Sequence, residues 1–145
     1  MLKRIFEGFW EWLFRKEQEK GKEIISGDDF NTAINRDLEN PTYVFMTDNK
    51  YKTWGMAQMK EFLKQDLLDK KEYVKDWFDC DDFSFELQTR LTNYFMGGSH
   101  GIIWGNGHAL NFFYSKDNES CFMIEPQKDR IYYKPKDFKA YLIIA

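Results

Sequence analysis

Phe78-Asp79-Cys80-Asp81-Asp82-Phe83 sets a cysteine among carboxylates at the point where a helical pattern begins. From there Phe83, Leu87, Leu91, Tyr94 and Phe95 recur at helical spacing, which predicts a helix from about Cys80 to Met96. Asp76 or Asp79 can serve as its N-cap, and Gly97-Gly98 is a stop signal. Cys80 then falls in the first turn, where unpaired backbone N–H groups and the positive end of the dipole favour a thiolate. The same amides could help hold an oxyanion. A lone cysteine is often buried and inert, but flanking carboxylates speak against a purely apolar site.

Downstream the pattern turns from helical to alternating. Gly101–Trp104, His108–Tyr114, Cys121–Glu125, Arg130–Tyr133 and Ala140–Ile144 read as short strands of an antiparallel, meander-like sheet. Pairing Tyr114 with Cys121 puts Glu125 opposite Leu110 and one diagonal step from His108; a loop tighter by two residues puts it directly opposite His108. Both registers leave His108 and Glu125 on one face, because side chains alternate with period two. A carboxylate beside an imidazole fixes its tautomer and stabilises the imidazolium. The expected roles are Cys80 as nucleophile, His108 as general acid/base and Glu125 as orienting carboxylate, a thiol hydrolase working through a thioester. An ordinary surface pair is the plainer reading of His108 and Glu125. His100, the rival base, lies in a Gly-Gly-Ser-His-Gly loop with no carboxylate placed to orient it.

Upstream, a helix is expected over Trp54–Leu68, with Met59, Phe62, Leu63 and Leu67 on one face. Gly27–Asp29 and Glu39–Thr42 look like turns, and Tyr43–Met46 a short strand. At the N-terminus Leu2, Ile5, Phe6, Phe9, Trp10, Leu13 and Phe14 form an apolar stripe. This divides the chain into an amphipathic N-terminal helix, 1–23, and a hydrolase domain, 24–145. The stripe fits packing on the body of the chain, a protein partner or self-association. A membrane surface suits it less, since Glu7 and Glu11 share the polar face.

Composition narrows the classes. The 145 residues are 19% aromatic, so a bulky core is expected. The net charge of −3, with both signs mixed, argues against a nucleic-acid partner. Two cysteines fit a reduced interior better than a disulfide framework. No signal peptide or membrane span is read, which suggests a cytoplasmic or phage-associated protein.

Asp79-Cys-Asp-Asp-Phe83, His108-Ala-Leu-Asn111 and Ile124-Glu-Pro-Gln127 together resemble the C-terminal domain of the fairy-ring mushroom agglutinin and its small bacterial and phage relatives, the lectin MOA-related proteins. The resemblance covers roughly residues 47–127. It implies a papain-like fold of helical N-terminal half and C-terminal sheet, calcium-dependent cysteine protease activity, and a triad of Cys80, His108 and Glu125. Peptide or protein substrates would follow. It implies no lectin activity, because the Gln-x-Trp repeats of the mushroom lectin's sugar-binding trefoil are absent. A non-catalytic binding or virion-associated module keeping the fold is the alternative. Independently of the family, Asp79, Asp81 and Asp82 crowd Cys80 with negative charge, which opposes a thiolate; a bound Ca2+ would neutralise them. The plainer reading has one Asp capping the helix and the others in solvent.

Overall fold

The computed structural model describes residues 24–145, and the expected N-terminal helix over 1–23 lies outside them. In chain order the elements are β1 (Ile24–Ser26), α1 (Gly27–Asp37), β2 (Tyr43–Phe45), β3 (Lys50–Lys52) and α2 (Met56–Gln65). A short 3-10 turn (Leu68–Lys70) leads to α3 (Cys80–Phe95). Then come β4 (His100–Gly105), β5 (His108–Ser115), β6 (Ser120–Glu125), β7 (Arg130–Tyr132) and β8 (Ala140–Ile144).

β4 to β7 form an antiparallel meander, but the sheet extends beyond it. Its order is β2-β8-β4-β5-β6-β7: β8 returns to pair with β4, and β2 lies parallel to β8 through Tyr43↔Leu142 and Phe45↔Ile144. The expected antiparallel C-terminal sheet is therefore corrected to a mixed sheet with an edge strand from the N-terminal half. Nearly the whole chain separates β2 from β8, so no short turn dictates their relative direction. The N-terminal half is likewise not purely helical, since β1 and β3 pair in a small sheet of their own.

The two faces of the large sheet bury separate cores. Ile103, Leu110, Phe112, Met123 and Ile143 pack with Phe30, Ile34 and Leu38 from α1 and its C-cap. On the other face Phe113, Phe122 and Ile124 meet Met59, Phe62 and Leu63 of α2 and Phe83, Leu87, Leu91 and Phe95 of α3. This partition is the period-two alternation of the strands made visible. Each such side chain contributes about 1.5–3 kcal/mol by leaving water.

Gly27–Asp29, expected as a turn, is instead the first turn of α1. Ser26 caps it by accepting the Asp29 N–H at 3.1 Å, and Asp28 and Asp29 suit the positive end of the dipole. Leu67 is exposed rather than on the buried face, because α2 ends at Gln65. Among the described residues, no helix is long and apolar enough to cross a membrane.

Candidate functional site

The site forms where the N-terminus of α3 meets the β4–β5 turn. Asp79 is the N-cap of α3, and the Asp82 carboxylate reaches back to accept the Asp79 N–H at 3.1 Å, the return half of a capping box. This places half-buried Cys80 at the first helical position. The helix is tied to the sheet by Asn111, whose side chain donates to the Ser84 carbonyl at 3.0 Å, and by Phe85 against Trp104.

Opposite Cys80, Asn106 (φ 51°) and Gly107 (φ 72°) make the two-residue turn that right-handed strand twist favours, and His108 follows as the first residue of β5. The Asn106 side chain donates to the Asp137 carbonyl at 2.9 Å and accepts the Lys139 N–H at 3.2 Å. Those bonds hold the approach to β8, and with it Tyr141, beside the turn. Tyr114 pairs with Cys121 in the β5–β6 ladder. In this register His108 Nε2 lies 2.9 Å from Glu125 Oε2.

The structure thus brings Cys80, His108 and Glu125 together. The Glu125 hydrogen bond, aided by one from Cys80 and opposed by desolvation, pushes the His108 ring up to about 9. At neutral pH the ring is an imidazolium. Glu125 occupies Nε2, which leaves Nδ1 as the second ring nitrogen. His100 is not part of this group: it is buried on Gln88, with its Nδ1 3.2 Å from Oε1, and burial pulls it down to about 4.

Of the three aspartates, Asp79 and Asp81 converge with Cys80, each offering a ligand atom within 4.8 Å of the others. The two carboxylates share a hydrogen bond, which holds Asp79 below and Asp81 above the usual carboxylate range. Two like charges so close share a proton or a cation. Asp82 is occupied with its backbone cap and stands outside this cluster among the described residues.

Around these groups lies an open groove of about 420 Å³, lined also by Trp104, Asn106 and Tyr141. Its chemistry is mixed: aromatic surface, an imidazolium, a thiol and the Asp81 carboxylate. It can stack the apolar face of a ligand, meet an anionic group and exchange hydrogen bonds with hydroxyls. Cys80 adds a nucleophilic atom beside a proton donor. Sequence reasoning missed Trp104, Asn106 and Tyr141. Trp104 and Asn106 were signalled by their place around the turn before His108; Tyr141 is brought in by the β8 crossover, which no local pattern announces.

A family model described as the ricin-type beta-trefoil lectin C-terminal domain matches residues 25–145. The chain belongs to that family. Two solved structures share its fold at a TM-score of 0.74 and 19% identity, with 86% of this chain covered. One is a PSL1a-E64 complex, of which 52% is covered. The other is Polyporus squamosus lectin bound to the human-type influenza-binding epitope Neu5Aca2-6Galb1-4GlcNAc, of which 50% is covered. The chain thus spans about half the length of each. No curated protein matches it.

These findings correct the expectation of a papain-like cysteine peptidase, in fold class, family and activity alike. The matching family is a lectin domain family, and the neighbour that carries a functional name is a lectin. The labels of hydrolase and thiol protease fall with that assignment, and so does a peptide substrate. The physical reason is general: a cysteine, a histidine and a carboxylate in one groove constrain local chemistry, but function does not follow from such a likeness.

Proposed function

We propose that the chain is a non-catalytic binding module whose ligand is a carbohydrate, seated in the groove over Trp104, His108 and Tyr141. The observation that carries this reading is the pairing of aromatic surface with fixed polar groups in one open groove, in a chain of a lectin family. Stacked ring faces bind the apolar side of a sugar, while Asn106, His108 and Asp81 offer hydrogen bonds to its hydroxyls. The His108 imidazolium suits an acidic sugar such as the sialylated epitope of the fungal lectin. Cys80, His108 and Glu125 act together here: Glu125 holds the ring charged and oriented, and Cys80 lines the wall.

Asp79 and Asp81 are proposed to hold a Ca2+ at the groove's edge, since paired carboxylates are hard oxygen donors, whereas the Cys80 sulfur is too soft to be a good ligand for it. Calorimetry of the full chain with CaCl2 should register binding that D79N and D81N each abolish; an unchanged isotherm in both variants sets this cation site aside.

Glycan-array screening of the full chain, followed by titration of the best hit, tests the main reading. W104A should weaken binding at least about tenfold, roughly 1.4 kcal/mol. A chain that binds no glycan on the array, or a W104A variant that binds as tightly as the wild type, overturns it.

A further inference from the structure

The aromatic wall of the groove does not end at Trp104. β8 lies between β4 and β2 in the large sheet, with Leu142 paired to Trp104 on one side and to Tyr43 on the other. Paired positions of neighbouring strands point to one face, so Trp104, Leu142 and Tyr43 form a row across three strands. Two strand spacings of about 4.8 Å make that row about 10 Å long. The register of β4 against β8 shifts beside it: Trp104 pairs with Leu142 but Gly105 with Ala140, which leaves Tyr141 without a partner in β4. A bulge of this kind re-aims the extra side chain, and Tyr141 lines the groove together with Trp104. Its ring centroid lies 5.4 Å from that of Tyr43, at an interplanar angle of 81°.

Tyr43 is 51% exposed and Tyr141 57%. An edge-to-face pair fixes the two rings against one another, yet about half of each remains open to a ligand. On its other side the groove is bounded by the start of α3, where Cys80 and Asp81 line it. β2 is the edge strand of the sheet, so among the described residues no further strand stands beyond Tyr43. The groove is thus walled toward α3 and open toward β2.

We propose that the ligand is an oligosaccharide rather than a single sugar, running from Trp104 and His108 across Tyr141 to a second aromatic platform at Tyr43. This rests on the carbohydrate reading of the groove. A single sugar ring covers one aromatic platform, and a row two strand spacings long offers room for another. The open ring faces stack on the apolar side of a sugar, and the phenol hydroxyls of Tyr43 and Tyr141 can bond its hydroxyls. Edge-strand position makes Tyr43 the far end of the row, so it contacts the second sugar and not the one beside His108.

The test probes the full chain with an array of mono-, di- and trisaccharides, then titrates the best binder and each of its component sugars by NMR. The longer glycan should bind at least about tenfold more tightly than any of its single sugars. Y43L keeps an apolar side chain on the strand but no flat face; it should remove that gain and leave single-sugar affinity unchanged. Y43F keeps the ring and should retain most of the gain. Equal affinity for short and long glycans, or a gain untouched by Y43L, overturns the second platform, while W104A still decides the groove itself. A Y43L chain that loses single sugars and longer glycans alike overturns it too, because Tyr43 then only supports the groove. A wild-type chain that binds no glycan overturns this inference together with the reading beneath it.

Discussion

Cys121 lies in the core with its N–H donated to Asp37 at 2.7 Å, and burial pushes its thiol up. Cys80 is half-buried at a helix N-terminus, hydrogen-bonded to a charged imidazole. Reaction of a thiol with iodoacetamide needs access and thiolate character, and Cys121 lacks both. Iodoacetamide should therefore modify Cys80 at least about tenfold faster in the native chain, read by mass spectrometry of the digest. Equal rates would remove the special environment assigned to Cys80. Much at this scale was legible. The spacing of the strands puts His108 and Glu125 on one face in either of two hairpin registers, and the Tyr114–Cys121 pairing is the one adopted. The division of labour among the aspartates was not legible, since capping and ligation use the same side chain and differ only in where it turns.

At the level of elements, the β4–β5 turn and α3 do the positioning. Gly107 has φ 72°, a conformation an L side chain adopts only under strain, although open space surrounds it. G107A should cost about 1 kcal/mol in urea unfolding and also weaken ligand binding, because the turn aims both Asn106 and His108. N106A should affect binding more than stability, since its bonds to Asp137 and Lys139 hold exposed backbone. Finding the reverse, a large stability loss with intact binding, would make the turn merely structural. The sequence signalled α3 well because its apolar stripe runs unbroken from Phe83 to Phe95 between a cap and a glycine pair. It signalled α1 poorly. There polar residues Asp28, Asp29, Asn31 and Asn35 outnumber the buried anchors, and packing on the sheet decides the outcome.

For the whole molecule, two groups give stability a common dependence on pH. Burial, reinforced by Asp69 and Asp66, pushes Asp129 up to about 7. The folded chain therefore binds this proton more tightly than the unfolded chain, and this contribution declines as pH rises from about 4 to about 7; buried His100, pulled down to about 4, opposes it with a contribution that grows up to about 6.5. His108 carries the decline onward: its stabilisation is complete below about 6.5 and lost as pH rises through about 9. Urea midpoints should change little while these two offset each other and fall above about 6.5, as Asp129 and then His108 lose their protons. D129N should leave midpoints that rise over the acidic limb, the His100 contribution alone, and H108A should flatten the alkaline one. A midpoint that rises over the alkaline limb would contradict the charge state assigned to His108. Topology at this scale was the least legible part. The parallel β2–β8 pair and the Tyr141 wall arise from contacts between distant segments, which local periodicity does not encode.

The location of the ligand is the central claim, and mapping it by NMR on the full chain tests it most directly. Titration with the sialylated trisaccharide, or with the best glycan from the array, should shift the Trp104 indole, the His108 ring and the Asn106 side-chain amide first, with saturable curves sharing one affinity. Shifts confined to residues away from the groove, with these three signals unmoved at saturation, would contradict the account.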